Sequence, residues 1–322
     1  MPETAWSERM GLSVPIVNAP MGGVAGGRLA AAVSAAGGLG MIGMGSSGSV
    51  AALERELGLL DPRPTAFGIG MVAWVVEREP ALLETALAAR PALVSVGFTE
   101  DWSWVERVHT AGTAAVTQVY DADHARRAAA AGVDVLVARG SEGGGHGDPR
   151  LATHAVLDAV LEAVTVPVLA AGGIATAHGL AAVLAAGASG AWLGTCLSVC
   201  PEALTPEPAR AALLRARATD TVVTRVFDLG QRLPWPHRYP ARVLSNGTTR
   251  RWAGREDELA RDDIARDEVA AAAASADPEL APVDAGTGVG SVTRARPVAE
   301  VVAELWPAAE SFGRSPAGRE SN

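Results

Sequence analysis

Residues 1–200 alternate short apolar runs with alanine-rich segments of helical periodicity, and no other feature constrains the fold as strongly. The runs are apolar throughout, as expected for parallel strands that are buried on both faces. The eight predicted strands are residues 14–18, 39–42, 65–72, 93–96, 114–119, 135–138, 167–171 and 190–194. Eight strand–helix units at this spacing predict an α/β fold, a TIM (β/α)8 barrel, with a doubly wound open sheet as the alternative.

The pattern changes after about residue 200. Helical patterns cover residues 201–217, 256–276 and 298–305. A loop rich in Trp and Pro covers residues 231–252, and a second glycine-rich loop covers residues 284–292. No polar linker separates this part from the first. We therefore predict a barrel of residues 1–200, followed by a helical C-terminal excursion, residues 201–322, that covers the barrel mouth. The tail from about residue 311 is rich in Ser, Gly and Arg and is predicted to be disordered.

The composition excludes several classes of function. The net charge is −9 and all 27 basic residues are Arg, so no lysine is available for a Schiff base or a P-loop. An acidic chain without a basic run is a poor candidate for binding nucleic acid. Two cysteines, Cys196 and Cys200, are too few for a disulfide framework or a zinc site. No Cys/His cluster and no series of spaced carboxylates predicts another metal.

The sequence also carries no sign of export or of a membrane segment. The N-terminus lacks a basic start followed by a long apolar core, so no signal peptide is predicted. No apolar run approaches the roughly 18 residues of a membrane span. We expect a cytoplasmic protein that does not enter a membrane.

The glycine-rich loop after the sixth predicted strand contains the first candidate for catalysis. In residues 140–148, five glycines surround Glu142 and His146. Glycines let the backbone come close to a ligand, and a histidine among them can act as a base near neutral pH. The alternative is a flexible surface loop with a solvated histidine. Because the loop follows a strand end, we expect it at the carboxyl edge of the sheet, where barrel enzymes have their sites.

Two further loops suit a phosphate group. Gly172 and Gly173 follow the seventh predicted strand, and Gly194 and Thr195 end the eighth. Backbone N–H groups at such turns and at helix N-termini bind dianions, and barrels commonly hold phosphate after these two strands. The alternative is that the glycines only allow ordinary strand-to-helix turns.

The end of the first predicted strand is the third candidate. Its residues are Asn18, Ala19, Pro20, Met21 and Gly22. This turn would bring a flat backbone surface and the soft side chain of Met21 to the barrel mouth, where they suit one face of a planar ring. Met21 as core filler is the competing interpretation. Two other residues, Trp74 and His237, are weaker candidates: Trp74 could line the mouth, and His237 lies in a loop that could close over the site.

The chain resembles the nitronate monooxygenase family, formerly called 2-nitropropane dioxygenases, in four ordered stretches: PIVNAPMGG (15–23), LAAAVSAAGGLGMIG (29–43), GSEGGGHGD (140–148) and PVLAAGGIATAHGLAAVLAAGASGAWLGT (167–195). The resemblance implies an FMN-dependent TIM barrel that oxidises an alkyl nitronate with O2. It places residues 18–22 along the flavin. It also places Gly172, Gly173, Gly194 and Thr195 at the phosphate group of the flavin. It also implies flavin contacts from Arg139, Gly144 and Gly145, and makes His146 the catalytic base or active-site hydrogen-bond donor.

The sequence departs from the family pattern at three positions. Arg139 stands where members often have Gln, which would put a fixed positive charge near the flavin. Gly70 stands where many have Asn, and Cys196 and Leu197 replace Arg and Phe. These departures affect substrate identity more than flavin binding.

Two other functions stay open. Relatives with the same loops include NADH-dependent enoyl-thioester and quinone reductases, and a barrel that binds a phosphorylated ligand without catalysis is the third possibility. The partners expected are a small-molecule substrate and O2; the oligomeric state is open, with a homodimer among the options.

Overall fold

The architecture is a barrel of eight parallel strands, which confirms the predicted fold. The computed structural model describes residues 4–61, 63, 64 and 66–313. The barrel strands are β1 (Ile16–Asn18), β2 (Gly40–Met44), β3 (Phe67–Val72), β4 (Leu93–Gly97), β5 (Ala114–Val119), β6 (Val135–Arg139), β8 (Val168–Ala171) and β9 (Gly190–Leu193). Neighbours pair in the order β1-β9-β8-β6-β5-β4-β3-β2, and a parallel bridge from Val17 to Leu39 closes the barrel. Thr65, the first residue of the third predicted strand, lies outside the described residues.

The apolar runs are continuous because both faces of each strand are buried. One set of side chains fills the barrel interior, including Val17, Met41, Val116 and Leu169. Their neighbours along the chain point outward into a second, larger cluster between the strands and the helices. An apolar run without alternation is the local signature of this arrangement.

Helices surround the barrel in the expected strand–helix order. They are α1 (Ala5–Arg9), α2 (Gly27–Ala35), α3 (Val50–Gly58), α4 (Ala73–Arg78), α5 (Ala81–Ala88), α6 (Trp104–Thr110), α7 (Ala122–Ala130), α8 (Thr153–Ala163), α9 (Ala177–Ala185) and α10 (Thr195–Ser198). Ser49, Asp121 and Thr176 cap α3, α7 and α9 by accepting a backbone N–H in the first turn. Among the described residues, no helix combines the length and hydrophobicity needed to cross a bilayer.

The chain after residue 200 contains both helices and strands. Its elements are α11 (Glu207–Arg215), β10 (Thr221–Thr224), α12 (Val226–Gly230), β11 (Ala241–Leu244), α13 (Gly247–Trp252), α14 (Glu256–Leu259), α15 (Asp263–Ala273) and α16 (Val298–Gly313). Strands β10 and β11 form an antiparallel sheet with the two-residue strand β7 (Gly145–His146). The C-terminal segment is thereby joined directly to the loop that carries His146.

Helix α16 packs on α2 and α9 of the barrel, and its Val298, Val301 and Leu305 belong to the main hydrophobic cluster. The helix runs to Gly313. Residues 314–322, the rest of the tail predicted to be disordered, lie outside the described residues.

Candidate active site at the carboxyl ends of the barrel strands

The structure brings the sequence-predicted site residues to one edge of the barrel. Asn18 ends β1 and residues 19–22 follow it, Arg139 ends β6, Gly172 and Gly173 follow β8, and Gly194 and Thr195 follow β9. Parallel strands that close into a barrel all end at the same edge, so residues far apart in sequence meet there. The loop with Gly144, Gly145 and His146 folds over this edge from β6.

The segment 19–22 lies across the ends of β2 and β3. A Cβ at Gly43 or at Gly70 would collide with Pro20, and Gly22 lies against the backbone of Gly45. These glycines therefore leave the space in which the Pro20 turn reaches the barrel mouth. The neighbouring Met21 is partly buried, and its sulfur would lie 3.6 Å from a Cβ at Gly194.

Asn18 is fully buried, and its side chain links β1 to β2 through hydrogen bonds. Its Nδ2 donates to the carbonyl oxygens of Met41 (2.8 Å) and Ala19 (3.0 Å), and its Oδ1 accepts from the Met41 N–H (2.7 Å). Both amide donors are used within the protein. The side chain thus shapes the mouth from beneath.

The glycine pair after β8 forms a cradle with a loop from the far C-terminal segment. Gly172 and Gly173 have φ values of 117° and 68°, which favour glycine. The backbone N–H of Gly286 donates to Thr195 Oγ1 (3.0 Å), and a Cβ at Gly173 would meet Thr287 Oγ1 at 3.2 Å. We call the group of Gly172, Gly173, Thr195, Gly286 and Thr287 the phosphate cradle, after the ligand predicted for it from the sequence. The last two were missed as site residues in the sequence, although the glycine-rich loop 284–292 was visible.

Arg139 supports the glycine-rich loop from inside. Its Nη2 donates to the carbonyl oxygens of Gly144 (2.7 Å) and Gly145 (3.2 Å). A Cβ at Gly147 would collide with the guanidinium, so the loop lies directly on it. Burial lowers the pKa of Arg139 from its usual value, while the charge of Asp284 opposes this change. Arginine side chains remain protonated in proteins, so this guanidinium is a fixed positive charge.

His146 is held on two sides. Its Nε2 lies 2.9 Å from Asp228 Oδ1, and its ring stacks on Trp235 with centroids 3.6 Å apart and planes 6° from parallel. Strand pairing with Ala241 of β11 fixes its backbone. Asp228 was not singled out in the sequence, where the short apolar segment around it gives no signal of a site.

Glu142, the other titratable residue of the loop, has a different place. Its Oε2 accepts from the backbone N–H and from Oγ1 of Thr153, each at 2.9 Å. A carboxylate here compensates the unpaired N–H groups at the start of α8. Glu142 thus acts as a helix cap.

A second carboxylate, Asp284, lies close to the His146 loop. A Cβ at Gly145 would be 3.2 Å from Asp284 Oδ2. The residue is exposed to solvent, although protein surrounds its carboxyl group closely enough for desolvation to raise its pKa. The charge of Asp228 adds to this increase, and the guanidinium of Arg139 opposes it.

Aromatic side chains form one wall of the mouth. Trp235 contacts Phe98 and Trp74 with ring centroids 4.8 and 5.8 Å apart, and its Nε1 donates to Ser46 Oγ (3.2 Å). Phe98 has a φ of 68°, a strained value that is common at functional sites. Residues 231–240, which we call the lid, carry Trp235 over His146.

The lid histidine has a different position. His237 is exposed, and its ring nitrogens lie 2.7 and 2.9 Å from Nη1 of Arg225. The lid residue that contacts His146 is thus Trp235. Within the described ranges, no group of three His, Cys, Asp or Glu side chains could hold a metal ion.

Known proteins resemble this chain in sequence and in fold. The family model described as nitronate monooxygenase matches residues 75–308. A nitronate monooxygenase of Neurospora crassa is 30% identical over 90% of this chain and 87% of its own length. An octahydro-indene-carboxyl-CoA dehydrogenase of Rhodococcus jostii is 32% identical over 73% of this chain, but the match spans only 65% of that relative. The solved structure of FabK from Thermotoga maritima superposes with a TM-score of 0.86 at 26% identity, covering 96% of this chain and 97% of that one.

Proposed function

The chain belongs to the nitronate monooxygenase family, and we propose that it is an FMN-dependent nitronate monooxygenase that oxidises alkyl nitronates with O2. One observation carries the proposal: His146, fixed by Asp228 and Trp235, lies at the same barrel mouth as a glycine cradle suited to a phosphate. A base and a phosphate site at the carboxyl ends of barrel strands are the arrangement that a phosphorylated redox cofactor requires.

The residues at the mouth fit FMN. The segment Ala19–Gly22 offers a flat backbone surface for a ring, because Gly43 and Gly70 let it lie across the strand ends. In the phosphate cradle, side chains at Gly172 and Gly173 would fill the space near Thr153 and Thr287. A cradle of backbone groups needs no lysine, which agrees with a chain that has none.

We assign the remaining predicted residues as follows. Gly194 follows β9 and lies beside Met21, where a Cβ would be 3.6 Å from the Met21 sulfur. Gly144 and Gly145 border the cofactor through their backbone, while Arg139 holds their carbonyl groups in place. Asn18 contributes by fixing the strand end from which the ring-binding segment starts.

Bound FMN would supply the electron acceptor that passes electrons from the substrate to O2. The chain's own residues bind and orient the substrate. His146 can donate a hydrogen bond to a nitronate, or remove the Cα proton when a neutral nitroalkane binds. The aromatic wall of Phe98 and Trp235 excludes water from one side of the mouth.

An NADH-dependent reductase is the second candidate, and one observation favours it. Among the described residues no carboxylate forms an ion pair with Arg225, which lies at the edge of the lid beside His237. An uncompensated guanidinium at an entrance suits an anionic group, such as the phosphates of a dinucleotide.

Anaerobic stopped-flow absorbance separates the two candidates. The flavin-loaded protein is mixed with propyl nitronate in one experiment and with NADH in another. Bleaching of the flavin by the nitronate alone supports the monooxygenase. Rapid bleaching by NADH alone supports the reductase. A purified protein that stays colourless after incubation with FMN contradicts both.

A further inference from the structure

A buried carboxylate, Asp228, lies against the imidazole ring of His146. The side chain of Asp228 is 6% exposed, and its Oδ1 contacts His146 Nε2 at 2.9 Å. The other oxygen, Oδ2, is buried and has no hydrogen-bond donor in the described part of the chain. A desolvated carboxylate with an unsatisfied oxygen is costly, so its presence here needs a reason.

The backbone around Asp228 is rigid. Its own carbonyl oxygen accepts from the N–H of Leu233 (2.9 Å), and Arg266 Nε donates to the carbonyl of Leu229 (3.1 Å). A Cβ at Gly230 would collide with Val269, which shows how closely α12 packs on α15. A carboxylate on such an element can define the direction of a hydrogen bond.

The imidazole ring has a defined free nitrogen. Among the described residues Nδ1 of His146 has no hydrogen-bond partner, and because it is not a buried atom it is accessible to solvent. Trp235 covers one face of the ring. The ring is therefore held in place, with Nε2 against the carboxylate and Nδ1 accessible to solvent.

We propose that Asp228 is a positioning residue that selects the tautomer of His146, so that Nδ1 is the nitrogen that exchanges a proton with the substrate. Asp228 accepts the Nε2–H, which leaves the lone pair of the neutral ring on Nδ1. The inference rests on the proposed function and deepens it, because it names the reacting atom and a residue that acts through it.

The proton transfer balances within the site. The Cα–H bond of a nitroalkane breaks, its electron pair stays on the substrate as the nitronate, and the proton forms a bond with Nδ1. The resulting imidazolium has both ring nitrogens protonated. Asp228 stabilises this cation by charge and does not take the proton itself.

Asp228→Asn tests the proposal, because an amide can donate to Nε2 and so place the proton on Nδ1. With nitroethane we expect kcat to fall about 10²- to 10⁴-fold while KM changes little, as for a general base in the wrong tautomer. Asp134→Asn is the matched control: Asp134 contacts Nε2 of His109 at 2.8 Å, and both side chains are 42% exposed. It should leave kcat unchanged. An equal loss in the two variants, or none in Asp228→Asn, overturns the proposal.

A measurement on the unaltered holoprotein does not depend on turnover. Nitrogen-15 NMR of histidine-labelled protein, at a pH where the ring is neutral, should show His146 with an unprotonated Nδ1; the spectrum of His146→Gln assigns the signal. A protonated Nδ1 overturns the proposal even if the enzyme oxidises nitronates. The predicted tautomer in a protein that oxidises no nitronate or nitroalkane instead contradicts the proposed function alone.

Discussion

Gly70 shows how one missing side chain leaves room for the neighbouring turn at Pro20. The position carries Asn in many members of the family that the sequence resembles, yet here a Cβ would collide with the ring of Pro20. Pro20 is a rigid residue and its ring cannot rotate away. The departure from the family pattern is thus matched by the packing of the neighbouring turn.

Gly70→Ala should therefore displace the Pro20 turn. Overpacking of this kind costs about 1–3 kcal/mol of the free energy of unfolding, and we expect a lower flavin content as well. Thermal unfolding and flavin absorbance of the purified variant measure both effects. Gly58→Ala is the control, since a Cβ there meets nothing within 4 Å. Equal behaviour of the two variants would show that the turn at Pro20 tolerates a side chain.

His146→Ala addresses the proposed catalytic residue. We expect the variant to retain flavin, because the phosphate cradle does not include His146, and to lose activity about 10²- to 10⁴-fold, the usual contribution of a positioned base. Flavin absorbance and nitroethane turnover are the measurements. His109→Ala, which removes an exposed histidine that also contacts a carboxylate, should be fully active. Unchanged turnover in His146→Ala would remove this residue from the mechanism.

At the scale of elements, the lid is fixed to three barrel loops through one arginine. Arg238 contacts Asp148 (2.9 Å), Asp121 (3.2 Å) and Glu100 (2.8 Å), which follow β6, β5 and β4. Burial alone would raise the pKa of Asp148, but hydrogen bonds from Arg150 and Arg238 outweigh it and hold the pKa below its usual value. The lid position thus depends on ionised carboxylates.

Arg238→Gln should destabilise the protein in a pH-dependent way. A carboxyl with a depressed pKa in the folded state stabilises the fold above its unfolded pKa, about 4, and this contribution is lost as the pH falls through the folded value. We expect a loss of about 1–2 kcal/mol at pH 7, since Arg150 still contacts Asp148, and a smaller loss below about pH 4. Urea unfolding at several pH values measures it.

The control for this variant is Arg127→Gln. Arg127 also contacts Glu100, at 3.1 Å, but lies on α7 and does not touch the lid; both side chains are about half exposed. An exposed pair contributes little, so its loss should be small at every pH. A loss in Arg238→Gln that stays constant down to pH 3 would contradict the assignment to carboxylates.

The sequence predicts the elements that have a local pattern. It misses those that depend on contacts with residues far away in the chain. The barrel strands are visible because burial on both faces leaves a continuous apolar run in each strand. Strands β7, β10 and β11 are not, because they contain only two to four residues and their pairing depends on partners that are distant in the sequence. His146 is found from the glycines beside it, whereas Asp228 lies 82 residues away and only the folded chain brings it there.

At the scale of the whole molecule, the boundary near residue 200 divides the sequence more clearly than the structure. The C-terminal segment supplies Asp228 to His146, Gly286 to Thr195, and the strand that pairs with β7. It also supplies α16, which covers α2 and α9. We predict that residues 201–322 do not form an independent domain. A truncated chain tests whether residues 1–200 are stable without them.

A chain ending at residue 200 should not form a stable barrel. Four aliphatic side chains of α16, Val298, Val301, Val302 and Leu305, are at most 6% exposed. Burying each contributes about 1.5–3 kcal/mol, or about 6–12 kcal/mol together, as an upper bound. The whole stability of a domain is about 5–15 kcal/mol, so the truncated chain has little left.

Intact protein should unfold in urea in one transition that coincides by tryptophan fluorescence and circular dichroism, and the truncated chain should show none. A truncated chain that unfolds cooperatively and still binds FMN would establish residues 1–200 as an independent domain, and would mean that the C-terminal loop is dispensable for the phosphate cradle.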